Sequence, residues 1–301
     1  MNPAPRHHAA LTTSVLTGAW GGELFLARMN VSERWSSIEQ AARGGETPLV
    51  QGFMRGFAVL RAFRANEDYL SNSEIALRTN IPRSTVSRLT QTLAALGFLT
   101  YAPGLGRYSL GAGLATLCHA LLSGMPCRVA ALPHMRELAE TTKLPVSLGM
   151  RDQLDMVYIE TARHAGAKPH RFDLGARMPI DVTSMGRAYL YGLPSNERKT
   201  LLDAMRKERG ESQWRKIRQG LKRSFAMLDN KGYCTSFGDW RPDVQGVAVP
   251  VVTTAGAVLA MNCGGPPTDV SPERLEHEIG PMLAAAAGRI NAGERVGSET
   301  R

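Results

Sequence analysis

The sequence predicts an α+β protein in two unlike parts: a small winged helix-turn-helix, then a short apolar helix leading into a larger domain of strands and helices. Three observations carry this. In 81–99, Val86, Leu89, Leu93 and Leu96 fall on one face of a 3.6-residue helix, and Arg83, Ser84, Ser87, Arg88 and Gln91 fall on the other. Two short strand patterns joined by a turn follow that helix at once. Beyond Pro126, amphipathic helices are interleaved with short strand-like runs.

The elements can be justified in order. Residues 1–48 mix Pro3, Pro5, His7, His8 and small residues around one short apolar run. They lack the clean apolar core of a signal peptide and read as a disordered extension, with Met29 and Met54 as alternative starts. The first domain is assigned to 49–112. Phe53, Phe57, Leu60 and Phe63 give a first helix to about Arg64. Ser71-x-x-Glu74 is a capping-box signal for a short second helix. Asn80-Ile81-Pro82 is the turn. The third helix then starts with Pro82 at its first position and is capped by Gly97. Its outer face carries guanidinium, hydroxyl and amide groups and no acid, the inventory a helix needs to read a DNA major groove. Phe98 to Tyr101 and Arg107 to Leu110 form the two strands of a wing around the turn 102–106. Seven arginines face three acids in this domain, a net charge of +4 that favours a polyanion.

These residues resemble a known family. Gly56-Phe57-Ala58-Val59-Leu60, Ile81-Pro82-Arg83-Ser84-Thr85-Val86-Ser87-Arg88-Leu89, Leu93-x-x-Leu96-Gly97-Phe98-Leu99 and Tyr108-Ser109-Leu110-Gly111 are similar, in order and spacing, to the IclR family of bacterial transcriptional regulators. The resemblance implies a winged helix-turn-helix, a linker helix at 113–125 and a GAF-like mixed α/β effector-binding domain at 126–292, with a tail at 293–301. It also implies homodimers or dimers of dimers on a double-stranded DNA operator. Arg83, Ser84, Thr85, Ser87, Arg88 and Gln91 are then the DNA-reading residues, with Arg107 of the wing near phosphate or the minor groove.

Leu114, Leu117, Cys118, Leu121 and Leu122 form the linker's apolar stripe, which needs a partner surface. A helix over 130–142 turns Leu132, Met135, Leu138 and Ala139 inward. Strands are expected at 146–150, 156–160 and 170–174, a short helix at 184–193, basic helices at 195–209 and 214–230, and strands from Gly232, at 246–252 and at 256–263. Pro272 to Ala292 is the closing helix.

Catalysis finds little support. Around Ser184 the run is Thr183-Ser184-Met185-Gly186, not a nucleophile elbow, and neither a His-Glu-x-x-His nor a phosphate-binding Gly-Lys-Ser pattern occurs. The four cysteines, Cys118, Cys127, Cys234 and Cys263, lie far apart without a C-x-x-C pair and read as buried free thiols, so neither metal nor cofactor is expected. His170, Cys234 and Cys263 are the remaining candidates for chemistry. The resemblance instead implies an effector pocket at Ser184 and Met185, Asp239, Gly246, Asn262 and Gly264. A helix N-terminus at Ser184 favours an anion there, hence a small organic acid, aromatic acids included. The sequence departs from the commoner family pattern at 239–246 and 262–265, which bears on which acid.

The whole chain agrees. Its 301 residues allow two domains, its charge is +9, and no apolar run reaches membrane-spanning length, as expected for a cytoplasmic protein without a membrane partner. Two other readings stay open at this point: a small-molecule enzyme with a vestigial winged helix, and an architectural DNA binder indifferent to ligands.

Overall fold

The computed structural model describes residues 50–65, 67–167 and 172–299, with side chains as far as 291. The expected N-terminal extension and His170 lie outside the described residues. The chain divides into two units between His119 and Ala120.

In the first unit, α1 (Gln51–Arg61), α2 (Asn72–Thr79) and α3 (Arg83–Ala95) precede an antiparallel pair, β1 (Leu99–Ala102) and β2 (Arg107–Leu110). Helix α1 stops three residues earlier than its periodicity suggested. The cause lies downstream: Arg78 of α2 donates to the Ala62 carbonyl at 2.8 Å and grips Glu67 with both terminal nitrogens, so the chain must turn away after Arg61. The capping box at Ser71 and Glu74 forms as expected. Asn80 ends α2 in the left-handed region, φ 55°. Pro82 sits at the N-cap of α3, not at its first helical position, and its carbonyl accepts from Thr85 and Val86. At the other end Gly97, φ 76°, lets Phe98 N–H reach back to the Leu93 carbonyl at 2.9 Å. That is the Schellman closure the glycine signalled.

The core of this unit joins Val59, Ile75, Val86, Leu93, Leu99 and Tyr108. The inner face of α3 differs from its apolar pattern at two places. Leu96 at the C-cap is 62% exposed, whereas Thr90 is fully buried. Thr90 can be there because its hydroxyl satisfies itself, bonding Asn72 Oδ1 at 3.0 Å and the Ser87 carbonyl at 3.1 Å.

Helix α4 (Gly113–Ser123) is the linker, and α5 (Pro126–Thr142) opens the second unit. The sheet of that unit contains β3 (Val146–Asp152), β4 (Asp155–Ala162), β5 (Arg177–Pro179), β6 (Cys234–Phe237), β7 (Gln245–Val252) and β8 (Val258–Gly265). Their order is β5-β4-β3-β8-β7-β6, every neighbouring pair antiparallel. One face is covered by α5 and by α8, a closing helix that runs through Pro272–Arg274, a π-helical turn at Leu275–Ile279 and Gly280–Glu299. The other face is covered by α6 (Ser184–Gly192) and α7 (Ser195–Lys231). Alternation along β8 sets the layers: Leu259, Met261 and Cys263 join the first core, and Ala260 joins the second.

Three expectations are corrected here. The strand proposed at 170–174 is not one over its described part, 172–174. Asp173 bends the chain by accepting the Leu174 N–H, Gly175 follows at φ 81°, and Arg177–Pro179 takes the edge position instead. The two expected basic helices form as the arms of α7, 195–209 and 211–231, separated by the non-helical Gly210 with φ 73° and ψ 162°. Helix α8 continues to Glu299, through most of the expected tail. Cys118 is exposed, unlike the other three cysteines.

Candidate functional site

The outer face of α3 presents the residues named from the sequence. Arg83, Ser84, Arg88 and Gln91 are exposed, and Thr85 and Ser87 are half-buried. Arg83 and Arg88 make no ion pair among the described residues, so both guanidiniums are free for an external anion or a base edge. Arg107 differs. It pairs with Glu74 at 3.4 Å and reaches the Tyr69 carbonyl, which ties the start of β2 to the N-terminus of α2. Arg78 is likewise committed to Glu67. Two of the seven arginines counted in this domain therefore hold the fold together.

In the second unit a cavity of about 610 Å³ opens on the α6/α7 side of the sheet. Ser147, Tyr158 and Asn262 form its sheet wall, and Lys143, Arg163, His164, Phe172 and Gln245 are among the residues around it. Asn262 Nδ2 donates to the Tyr158 hydroxyl at 3.0 Å. Burial pushes the Tyr158 phenol up to about 12, so it stays protonated at neutral pH. Arg163 is clamped from outside by Asp173 at 2.9 Å and by the Phe172 carbonyl. Among the described residues, two buried polar atoms of the lining side chains have no hydrogen-bond partner, Arg163 Nε and Asn262 Oδ1. One is a donor and the other an acceptor. Leaving either unpaired costs about 1–3 kcal/mol, and both residues line the cavity.

Asn262 and Gly264 line this cavity; the other four residues proposed for it do not. Met185 is fully buried, and its sulfur occupies the space where a Cβ on Gly149 would stand, 2.4 Å away. It is a core wedge. Ser184 is buried beneath β6 and β7: its carbonyl accepts from the Cys234 thiol, and its hydroxyl lies 3.5 Å from where a Gly246 Cβ would stand. Gly246 pairs with Gly264 across the two strands. Asp239 is bound to Arg187 of α6 at 2.7 Å, and Arg187 also contacts Ser224 and the Asp181 carbonyl. Arg187 is only 3% exposed, so Asp239 is its counter-ion. At the α6 N-terminus the Gly186 N–H is already taken by the Thr183 side chain. Ser147, Tyr158 and Arg163 escaped the sequence reading because a strand of alternating small and apolar residues does not reveal which face is concave. Burial pushes the Cys234 and Cys263 thiols to about 12, which removes both as thiolate nucleophiles near neutral pH.

Comparison with known proteins agrees with this architecture. Residues 53–103 match the IclR helix-turn-helix domain, and residues 119–292 match the C-terminal domain of the bacterial transcriptional regulator IclR. The HTH-type transcriptional regulator TsaQ1/TsaQ2 of Comamonas testosteroni is 30% identical over 249 residues, 82% of this chain and 89% of that protein. The Pca regulon regulatory protein of Pseudomonas putida is 29% identical, over 81% of this chain and 84% of its own length. The crystal structure of an IclR family transcriptional regulator from Brucella abortus superposes with a TM-score of 0.72 at 38% identity, covering 83% of this chain and 96% of that one. With a helix α3 whose two arginines make no ion pair among the described residues, a cavity in the second unit and both family domains in their order, this chain belongs to the IclR family of DNA-binding transcriptional regulators.

Proposed function

We propose that the chain binds a short palindromic operator as a homodimer, or a dimer of dimers, and that a small organic acid held in the second unit changes its operator affinity. The observation that carries this reading is a cavity lined by both Arg163 and Asn262, whose Nε and Oδ1 atoms are buried and have no hydrogen-bond partner among the described residues. The first suits a carboxylate, because a charge-assisted bond from a guanidinium is stronger than a neutral one. The second suits a hydroxyl or amide N–H. Phe172, tilted against Trp240 with ring centroids 5.5 Å apart, adds an aromatic side to the lining that suits a flat ring. The pattern of a few convergent polar groups on a largely apolar surface is that of a small-molecule site.

To act as a switch, the acid must bind the DNA-competent and incompetent arrangements unequally. A coupling of about 1–3 kcal/mol changes operator affinity about 5–150-fold. The test is calorimetric titration of the whole protein with benzoate, 4-hydroxybenzoate, pyruvate and the methyl ester of 4-hydroxybenzoate, followed by operator binding with each. One of the free acids is expected to bind and shift operator affinity, while the ester binds weakly. Arg163→Met should abolish the preference for acid over ester, and operator binding in the absence of acid should persist. Equal binding of acid and ester by the wild-type protein would overturn the reading.

A further inference from the structure

We propose that α7 forms a docking groove for an acidic amphipathic helix of another protein. The two arms of α7, Ser195–Arg209 and Glu211–Lys231, meet at the non-helical Gly210 and fold back as a hairpin. The return is visible in contacts between them: Arg198 lies over the Phe225 ring at 5.4 Å. The hairpin is held rigidly to its unit. Arg209 pairs with the buried Asp181 at 2.7 Å, and Tyr191 of α6 donates to Asp229 at 2.7 Å. One face of each arm lines a groove of about 820 Å³. Half-buried Leu202, Trp214 and Phe225, with buried Leu221, form its apolar floor. By helical rise, the lining from Ser195 to Arg206 spans about 17 Å and that from Glu211 to Asp229 about 27 Å, room for three or more turns of a helix.

Charge decides the kind of partner. Residues 195–231 hold eleven lysines and arginines against five acids, +6 of the chain's +9. Lys199, Arg215, Arg218 and Lys222 stand exposed around the groove and make no ion pair among the described residues. Arg215, Arg218 and Lys222 follow an i, i+3, i+7 spacing, so they form one stripe along the second arm. A stripe of unpaired cations beside an apolar floor complements a helix with a hydrophobic face flanked by Asp and Glu, the helix-in-groove mode of recognition. A second copy of this chain is a poor occupant, because a two-fold contact through this face would set like charges against each other. A DNA backbone would satisfy the cations but leave Trp214 and Phe225 uncovered.

The test uses the whole protein and fluorescence anisotropy. The probe is a labelled 18-residue helical peptide with Leu at i, i+3, i+4 and i+7 spacing and Glu on the flanks. Controls are a scrambled peptide of the same composition and a random 20-bp DNA duplex. The ordered peptide should bind on the order of tenfold more tightly than the scrambled one. Arg215→Ser/Arg218→Ser/Lys222→Ser, all at exposed positions, should weaken it on the order of tenfold. Trp214→Ala should weaken it independently. Operator affinity should be unchanged in both variants, which also reports that they fold. Equal binding of ordered and scrambled peptides overturns the groove, as does failure of the ordered peptide to bind. If the charge triple lowers affinity for the operator and the random duplex while peptide binding is unaffected, the face is a DNA-backbone contact and the proposal is wrong.

Discussion

Single side chains separate the groups that can recognise something from those that only hold the fold. Arg83 and Arg88 are exposed at the start and middle of α3 without an ion pair among the described residues, whereas Arg107 and Arg78 are spent on Glu74 and Glu67. From sequence all four are equal cations, because their acids lie 11 and 33 residues away in the chain. Arg88→Ala should therefore weaken operator binding by about 1–3 kcal/mol if the guanidinium reads a guanine, measured by gel shift or anisotropy. Arg107→Ala should act mainly through the Glu74 contact, with a smaller loss. Equal losses would place the wing on the DNA after all. In the second unit, the sequence names Asn262 but not its partner, because the hydrogen bond to Tyr158 depends on β4 standing two strands away from β8 in the same sheet. Asn262→Leu should leave operator binding intact, remove the response to acids carrying a hydroxyl, and spare acids without one.

At the scale of elements, the winged helix was the most readable part, since its signals are local: a capping box, a Gly97 closure and a short turn between paired strands. The errors came from distant contacts. Helix α1 ends early because Arg78, sixteen residues on, claims the Ala62 carbonyl. Thr90 enters the core because Asn72 from another helix accepts its hydroxyl. Met185 and Ser184 were misplaced because a short helix of small and apolar residues does not tell which side meets the sheet. The Arg78–Glu67 tie yields a pH prediction. The hydrogen bond from Arg78 holds the Glu67 carboxyl below its ordinary value of 4.5, against a smaller desolvation effect. A carboxylate with a lowered folded pKa adds stability that is fully present above the ordinary value and is lost as pH falls through the folded one. Glu67 is partly solvated, so the tie contributes about 1 kcal/mol or less. Glu67→Gln should speed amide exchange in 72–79 at pH 7 relative to wild type. The two proteins should converge below the carboxylate range. A difference that persists unchanged in acid would assign the effect to packing.

For the whole molecule, the apolar groups left outside matter most. Leu117 and Leu121 on α4 are 56% and 52% exposed, and Val129 on α5 is 60% exposed. No residue of α4 is buried. The exposed leucines of this helix form an apolar edge that awaits a partner, and the homodimer proposed above supplies the candidate, a second copy. An isologous contact would set the same leucines of both copies together around a two-fold axis and match the symmetry of a palindromic operator. The consequence for affinity is multiplicative: once one reading helix is bound, the second binds at a high effective concentration. Leu117→Glu/Leu121→Glu places two charges in that contact, at positions whose exposure lets the chain itself fold. Light scattering of the wild-type protein at micromolar concentration should return a dimer or a tetramer, and the double variant should shift toward monomer. Its affinity for a full operator should fall to near that for a half-site, while half-site binding is unchanged. A monomeric wild-type protein, or a variant that keeps both its assembly and its full-operator affinity, would show that these leucines are covered by something other than a second copy.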